Sequence, residues 1–208
     1  MAVRLKNGDV FLHLPRTGGT FVTAVLKRLG LVAGPVGRKH DCPGVVPMDM
    51  TVRHFVFIRH PYSLMRSTYS WLEGNRWGPW PKEKDDGRWW HPWSEITKHC
   101  ESHRDSFEEW LRWVTTERTG YVTRLYSKFA NWPCTSFVGR TEWLEDDLEV
   151  MLELLGVKRA EALRAMGTVR DKTRNASPVL VREASAKVRE LFVESEAGAM
   201  AMWEGRVL

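Results

Sequence analysis

Residues Val10–Thr20 read VFLHLPRTGGT, and we expect the rest of the chain to be arranged around this stretch. An apolar run, Val10–Leu14, predicts a short strand, and a polar turn follows at Pro15–Gly19, here named the glycine loop. Thr20 then opens an amphipathic pattern that predicts a helix to about Leu29. The first N–H groups of a helix lack internal partners, and the helix dipole adds positive charge there. The stretch therefore predicts an anion-binding site.

The side chains of the glycine loop favour phosphate or sulfate as the ligand. Arg16 supplies a planar, permanently charged donor fork, and Thr17 and Thr20 supply hydroxyl groups. Gly18 and Gly19 let the backbone come close to an oxyanion. The loop is not a Walker A motif, because that motif places a lysine after its glycines. On the residues alone, a simple strand-to-helix turn is the alternative interpretation.

The composition is typical of a globular protein that binds an anion. The chain has 208 residues, 43% hydrophobic and 27% charged, and we expect one domain over 1–208. A net charge of +5 without a long basic run does not indicate nucleic acid. We see no apolar run near the ~20 residues of a membrane span and no signal-peptide core, so we expect a cytoplasmic protein. The three cysteines are far apart, which favours reduced thiols.

Strands alternate with helices along the chain, which predicts an α/β fold with a mainly parallel sheet flanked by helices. The apolar run HFVFI within Arg53–Arg59 is typical of a parallel strand covered on both faces. Asn7-Gly8 favours a hairpin that ends in the strand at Val10, and Thr135–Gly139 is a third clear strand. We expect an irregular connection over Leu31–Val52. The predicted helices are Thr20–Leu29, Pro61–Leu72, one opened by a capping box at Ser106, Thr141–Leu155 and Ser177–Glu194.

Tryptophan is unusually common, and six of the 11 tryptophans lie between Trp71 and Trp93. The segment 73–93 is predicted to be a long insertion, and such loops are often functional. Flat apolar rings with a polar edge suit sugars and aromatic acceptors. Trp71, Trp77 and Trp80 are therefore candidate substrate-binding residues, with packing of the loop onto the protein as the alternative. The tryptophans predicted to lie on helices are expected in the core: Trp110, Trp113 and Trp143.

A second motif, FVFIRHPYSLMRSTYSWL, occupies Phe55–Leu72. It places Arg59 at the end of a strand and Ser67 eight residues later, on the next helix. Ligands of open α/β sheets bind at the carboxyl ends of the strands. Arg59 and Ser67 are therefore candidates for holding a second phosphate.

Together, LPRTGGT and IRHPYSLMRSTYSW resemble the sulfotransferase family that uses 3′-phosphoadenosine 5′-phosphosulfate. The resemblance implies a three-layer P-loop-like fold and is closer to the carbohydrate-type branch, in a compact bacterial or viral form. The residues implied at the 5′-phosphosulfate are Pro15, Arg16, Thr17, Gly18, Gly19, Thr20 and Phe21. The residues that match the 3′-phosphate segment are Arg59, Pro61, Ser67 and Tyr69, with Arg66 one place late.

Two weaker matches extend the resemblance over roughly residues 10–195. Phe137–Gly156 resembles a later strand-helix unit of the family, and Thr173–Ser177 resembles a loop that closes over the nucleotide. The second match implies a closing contact from Arg174.

The implied reaction is in-line transfer of a sulfuryl group to an acceptor hydroxyl, with adenosine 3′,5′-bisphosphate as product and without a metal. Arg16 stands where the family usually has lysine, and it cannot act as a proton donor at neutral pH. His40 is the implied general base, with His13 and His60 as further candidates. The expected partners are the nucleotide donor and a hydroxyl-bearing acceptor, with carbohydrates among the acceptor classes. We expect no nucleic-acid partner.

Two other functions are weighed against the sulfotransferase. One is a nucleotide kinase-like enzyme, which the missing Walker lysine disfavours. The other is a binding protein that keeps the nucleotide site without catalysing transfer. The sequence leaves the acceptor and the oligomeric state open.

Overall fold

The computed structural model describes residues 2–37, 42, 51–75, 77, 94–97, 100–170 and 181–205. They form two compact units. The sheet unit comprises Met1–Arg59 with Ser127–Asn175, and the helical unit comprises His60–Tyr126 with Ala176–Leu208. One domain over 1–208 stays a prediction, and most of the insertion at 73–93 lies outside the described residues.

The strands belong to the sheet unit and follow the order β3-β1-β2-β4-β5. Their bounds are β1 Val3–Leu5, β2 Val10–Leu12, β3 Val32–Pro35, β4 His54–Ile58 and β5 Thr135–Arg140. The strands β2, β4 and β5 run parallel, whereas β1 is antiparallel to both of its neighbours. The α/β class and the parallel core of the sheet are therefore as predicted, and the hairpin at Asn7-Gly8 adds an antiparallel side.

Helices flank this sheet and make up most of the second unit. In chain order they are α1 Gly19–Arg28, α2 Pro61–Gly74, α3 Ser94–Thr97, α4 Phe107–Glu117, α5 Tyr121–Ala130, α6 Leu144–Leu154, α7 Arg159–Arg170, α8 Ala186–Ser195 and α9 Ala197–Trp203. Short 3₁₀ turns lie at Glu101–His103 and Thr141–Trp143. Within the described ranges, no helix has both the length and the apolar character needed to cross a membrane.

The core of the sheet unit lies between one face of the sheet and α1, α6 and α7. Alternating strand residues supply one side of it: Val3, Leu5, Phe11, Phe55 and Phe57. The helices supply apolar stripes, including Phe21, Val22, Val25, Leu26, Leu148, Met151 and Leu152. All five residues of β4 are buried, which confirms the prediction of a strand covered on both faces. This packing fixes the strand ends that carry the candidate site.

The helical unit packs around aromatic side chains and is tied by buried polar contacts. Tyr69 lies 5.5 Å from Trp110, centroid to centroid. The Ser106 side chain accepts a hydrogen bond from Glu109 N at 3.1 Å, so Ser106 is the N-cap of α4 and this half of the predicted capping box is present. The Glu196 carboxylate, 1% exposed, accepts from Val122 N and Thr123 N at 3.0 and 2.8 Å. It thereby satisfies N–H groups at the start of α5.

The last predicted helix begins later than expected. Ser177 and Pro178 lie outside the described residues, but residues 181–185 are not helical, and α8 starts at Ala186. Side-chain contacts explain the difference. Glu183 accepts from Tyr62 Oη at 2.7 Å and pairs with Arg66 at 2.5 Å. The backbone N–H of Ala184 also donates to the Tyr62 hydroxyl at 3.1 Å, and that of Ser185 donates to Glu108 Oε2 at 3.0 Å, so these groups are not available for helical hydrogen bonds.

Three further features differ from expectation. The strand β3 lies inside the predicted irregular connection, since it adds to β1 as an edge strand. The helices α3, α5, α7 and α9 form where no helix was predicted. Trp110 and Trp113 are buried as expected, whereas the prediction of a core position for Trp143 is wrong, because 43% of it is exposed.

Candidate anion-binding site

The glycine loop connects β2 to α1 through a tight turn. The strand ends at Leu12, two residues earlier than predicted, and α1 begins at Gly19. Arg16 and Gly18 both have positive φ, 64° and 78°. Such turns aim successive backbone N–H groups at one point, which is a common way to bind an anion.

The first helical hydrogen bonds start after the two glycines. Phe21 N and Val22 N donate to Gly18 O at 2.9 and 3.2 Å. The N–H groups of Gly19 and Thr20 therefore precede the helical ladder and are the ones that the start of α1 presents. Phe21, predicted to contact the ligand, is 8% exposed in the core and uses its N–H inside the helix.

At each of the two glycines, a neighbouring side chain leaves no room for a Cβ atom. A Cβ on Gly18 would lie 2.6 Å from Leu144 Cδ2, and the positive φ there also favours glycine. A Cβ on Gly19 would lie 2.5 Å from His13 Cδ2. The loop is thus held between a side chain that follows β2 and a side chain of α6, and neither glycine can be replaced without movement.

The threonines play different parts. Thr17 is 1% exposed, and its hydroxyl donates to Leu14 O at 2.9 Å. Its proton therefore closes the turn, and Thr17 can act on a ligand mainly through its backbone. Thr20 is exposed at the second position of α1, and Pro15 is buried at the start of the turn.

Two arginines meet at this loop. Arg59, the residue after β4, donates from Nη1 to Arg16 O at 3.3 Å. The pKa of Arg16 is lowered, first by burial and then by the positive charge of Arg59. Two cations held together in a partly buried place repel each other. An oxyanion bound there would offset that repulsion, so the arrangement favours a multiply charged anion.

The third parallel strand adds residues that the sequence analysis did not select. Thr141, just after β5, donates from Oγ1 to Ile58 O at 2.9 Å. Arg140 lies with Cζ 4.4 Å from the centre of the Trp143 ring and donates from Nε to Asp147 at 3.3 Å. Arg140 ends the parallel strand β5 and Thr141 follows it; this position was the available signal, because the carboxyl ends of parallel strands share one edge of a sheet.

The remaining residues of the second motif lie on α2, in the helical unit. Ser67 is half-buried there. Arg66 pairs with Glu183 and donates to Val181 O at 3.3 Å. The Tyr69 hydroxyl donates to Arg104 O at 2.8 Å. Arg66 and Tyr69 therefore have structural contacts, and the role of Ser67 at the 3′-phosphate stays a prediction.

The candidate acceptor residues are only partly described. Trp71 is half-buried on α2. Trp77 donates from Nε1 to Glu73 at 2.7 Å and packs on Tyr69 at 5.6 Å, so its ring is anchored to the helical unit. His40, Trp80 and Arg174 lie outside the described residues. The acceptor role of Trp71, Trp77 and Trp80, and the roles of His40 and Arg174, stay predictions.

Two other histidines were candidates for the base. His13 is 5% exposed and lies against the glycine loop. His60 follows Arg59, at the start of α2, and packs edge-on to Trp203 with centroids 4.8 Å apart. Among the residues with a described position, no group of three or more His, Cys, Asp or Glu could hold a metal ion.

Comparisons of the chain with protein-family models, curated proteins and solved structures find no match. The glycine loop, the two arginines that meet there and the sequence motifs are therefore the features that bear on function.

Proposed function

We propose that this protein is a sulfotransferase that moves a sulfuryl group from 3′-phosphoadenosine 5′-phosphosulfate to an acceptor hydroxyl by in-line displacement. We also propose a three-layer P-loop-like arrangement. The observation that carries the proposal is the meeting of Arg16 and Arg59 at a glycine loop, where a helix begins at the end of a parallel strand. Both arginines lie in the sheet unit, so the observation depends on that unit alone.

The loop fits the charged part of such a donor. The N–H groups of Gly19 and Thr20 precede the helical ladder and would hold the oxygens of the 5′-phosphosulfate, together with Arg16. Arg59 would supply charge for the 3′-phosphate. Ser67 and Arg174 enter the proposal through the sequence motifs alone.

The chemistry asks mainly for positioning and charge. The donor supplies an activated sulfuryl group, and transfer of such a group resembles phosphoryl transfer, with negative charge spread over peripheral oxygens. Arg16 would stabilise that charge and the charge that develops on the leaving oxygen. A fixed guanidinium does so without having to move during the reaction. Proton donation by Arg16 is not part of the proposal.

The acceptor hydroxyl needs a base to take its proton. His40 has this role in the proposal, on the strength of the family resemblance. The test is transfer of a labelled sulfuryl group to sugar, phenol and tyrosyl-peptide acceptors by wild type and His40→Ala. We expect the variant to bind the donor as wild type does and to transfer slowly. Unchanged transfer would remove His40 as the base, and phosphate transfer from ATP with magnesium would favour a kinase-like enzyme.

A further inference from the structure

We propose that His13 is a positioning residue of the glycine loop: its imidazole fixes the backbone at Gly19 and thereby aims the Gly19 and Thr20 N–H groups at a bound oxyanion. This inference rests on the proposed anion site. It adds a residue that the motif assignments leave without a role in binding.

The contact between His13 and Gly19 is close and involves the ring itself. A Cβ built on Gly19 would lie 2.5 Å from Cδ2, 2.7 Å from Nε2 and 2.8 Å from Cγ of His13. The ring therefore occupies the space that any side chain at position 19 would need. Gly19 is also the first residue of α1, so the ring bears on the point where the open N–H groups begin.

A side chain of α6 contacts the other glycine of the loop. Leu144 takes the space that a side chain on Gly18 would need, with its Cδ2 2.6 Å from such a Cβ. Two successive glycines are thus each held by one side chain. Close-packed atoms transmit small displacements, so loss of the ring at position 13 would let the start of α1 shift. The N–H groups of Gly19 and Thr20 would then no longer point at the same bound oxyanion.

A role as general base fits His13 less well. A base must come within hydrogen-bond reach of the proton that it removes. His13 is 5% exposed, and its ring is placed against the loop backbone. The two roles predict different kinetics: a positioning residue changes affinity for the anion, whereas a base changes turnover and leaves product affinity intact.

The experiment compares His13→Ala with Leu152→Ala, a substitution of a fully buried residue in the core of the sheet unit. Calorimetry with adenosine 3′,5′-bisphosphate and with inorganic sulfate measures affinity, and thermal unfolding without ligand measures stability. We expect His13→Ala to weaken binding of both probes roughly tenfold, as for the loss of one charge-assisted hydrogen bond. Leu152→Ala should lower the melting temperature and leave affinity unchanged. His13→Asn, which keeps part of the volume, should lose less affinity.

A double substitution tests the contact. Gly19→Ala should be destabilised and bind poorly, because the new Cβ meets the ring. Adding His13→Ala should restore stability, since the space is then open, but should not restore affinity. Affinity that recovers together with stability would reduce His13 to packing and overturn the proposal.

The remaining outcomes separate this inference from the proposed function. Wild-type affinity in both His13 variants, or a loss of turnover alone, overturns the positioning role and leaves the sulfotransferase proposal standing. Sulfate binding that depends on His13, without bisphosphate binding, supports the positioning role and overturns the proposed function. Binding of neither probe to the wild type overturns both.

Discussion

The two ends of strand β4 carry the same residue type in opposite settings. Arg53, before the strand, donates from Nη2 and Nε to Asp9 at 2.6 and 3.1 Å and from Nη1 to Leu154 O at 3.2 Å. Arg59, after the strand, donates to the carbonyl oxygen of Arg16. The side chain of Arg16 is also a cation. At the amino end of β4, an ion pair links the strand to neighbouring segments. At the carboxyl end, two arginines lie close together.

This difference distinguishes an ion pair that stabilises the fold from the candidate anion-binding site. At the amino end, the charge of Arg53 is matched by Asp9, and its third contact satisfies the last carbonyl of α6. At the carboxyl end, the pKa of Arg16 is lowered first by burial and then by repulsion from the positive charge of Arg59. A fold tolerates such repulsion where a ligand supplies the opposite charge.

Replacing Arg59 or Arg53 with alanine should give the largest difference between the two ends of β4. Arg59→Ala should weaken binding of adenosine 3′,5′-bisphosphate roughly a hundredfold, because hydrogen bonds to charged groups are worth about 1.5–3 kcal/mol each. It should spare adenosine 5′-phosphosulfate, which lacks the 3′-phosphate. Arg53→Ala is the matched control and should lower stability without changing affinity. Equal losses for both nucleotides would contradict the assignment of Arg59.

Substitution of Arg16 separates turnover from donor affinity at the candidate anion-binding site. Arg16→Ala should depress turnover by roughly a hundredfold, the scale seen when one donor to a developing oxyanion is removed, and should weaken donor affinity less. Arg16→Lys keeps the charge and restores the residue usual in the family, so it should retain most activity. Steady-state kinetics over donor concentration separate the two effects. A change in affinity alone would place Arg16 in binding only.

At the closed end, Asp9→Ala should destabilise the protein by about 1–3 kcal/mol, because it removes a nearly buried acceptor that Asn7 and Arg53 share. Chemical unfolding monitored by tryptophan fluorescence measures the change. Bisphosphate affinity should stay at the wild-type value. A loss of affinity as large as that of Arg59→Ala would show that the two ends are not independent.

The smallest effect concerns the helical unit. Burial, followed by the charges of Glu73, Asp105 and Glu109, raises the pKa of Tyr69 to about 12 from a usual 10.0. Between these values the unfolded chain loses the phenolic proton while the folded chain keeps it, so stability falls as pH rises through about 10 to 12. Tyr69→Phe should cost about 1 kcal/mol at neutral pH through the lost bond to Arg104 O and should flatten this alkaline loss. Unfolding at several alkaline pH values checks it.

The sequence predicts the elements whose patterns are local and complete. Apolar runs located β2 and β4, and helical periodicity located α1, because each pattern is bounded by turn residues. The edge strand β3, VAGP, carries glycine and proline and forms only because β1 offers it a partner. The helix α5 is rich in aromatic and β-branched residues, which have modest helix propensity, and its form depends on burial of Tyr121 and Tyr126.

The sequence predicted which residues belong to the candidate site but not which contacts they make. Charge and position selected Arg16 and Arg59, yet their meeting depends on how β2 and β4 pair. The sequence presents His13 as a strand residue, and only the approach of its ring to Gly19 explains why that position must be glycine. The predicted core position of Trp143 was wrong because the apolar pattern of the predicted helix does not reveal that its first residues, Thr141–Trp143, form a 3₁₀ turn next to the end of β5.

We propose that the glycine loop and the two arginines form a site for a nucleotide with two separate phosphate positions. Calorimetry with adenosine 3′,5′-bisphosphate, beside ATP with magnesium, tests it most directly. We expect tight binding of the bisphosphate and little binding of ATP with magnesium. Binding of ATP with magnesium alone, or of neither nucleotide, would contradict it.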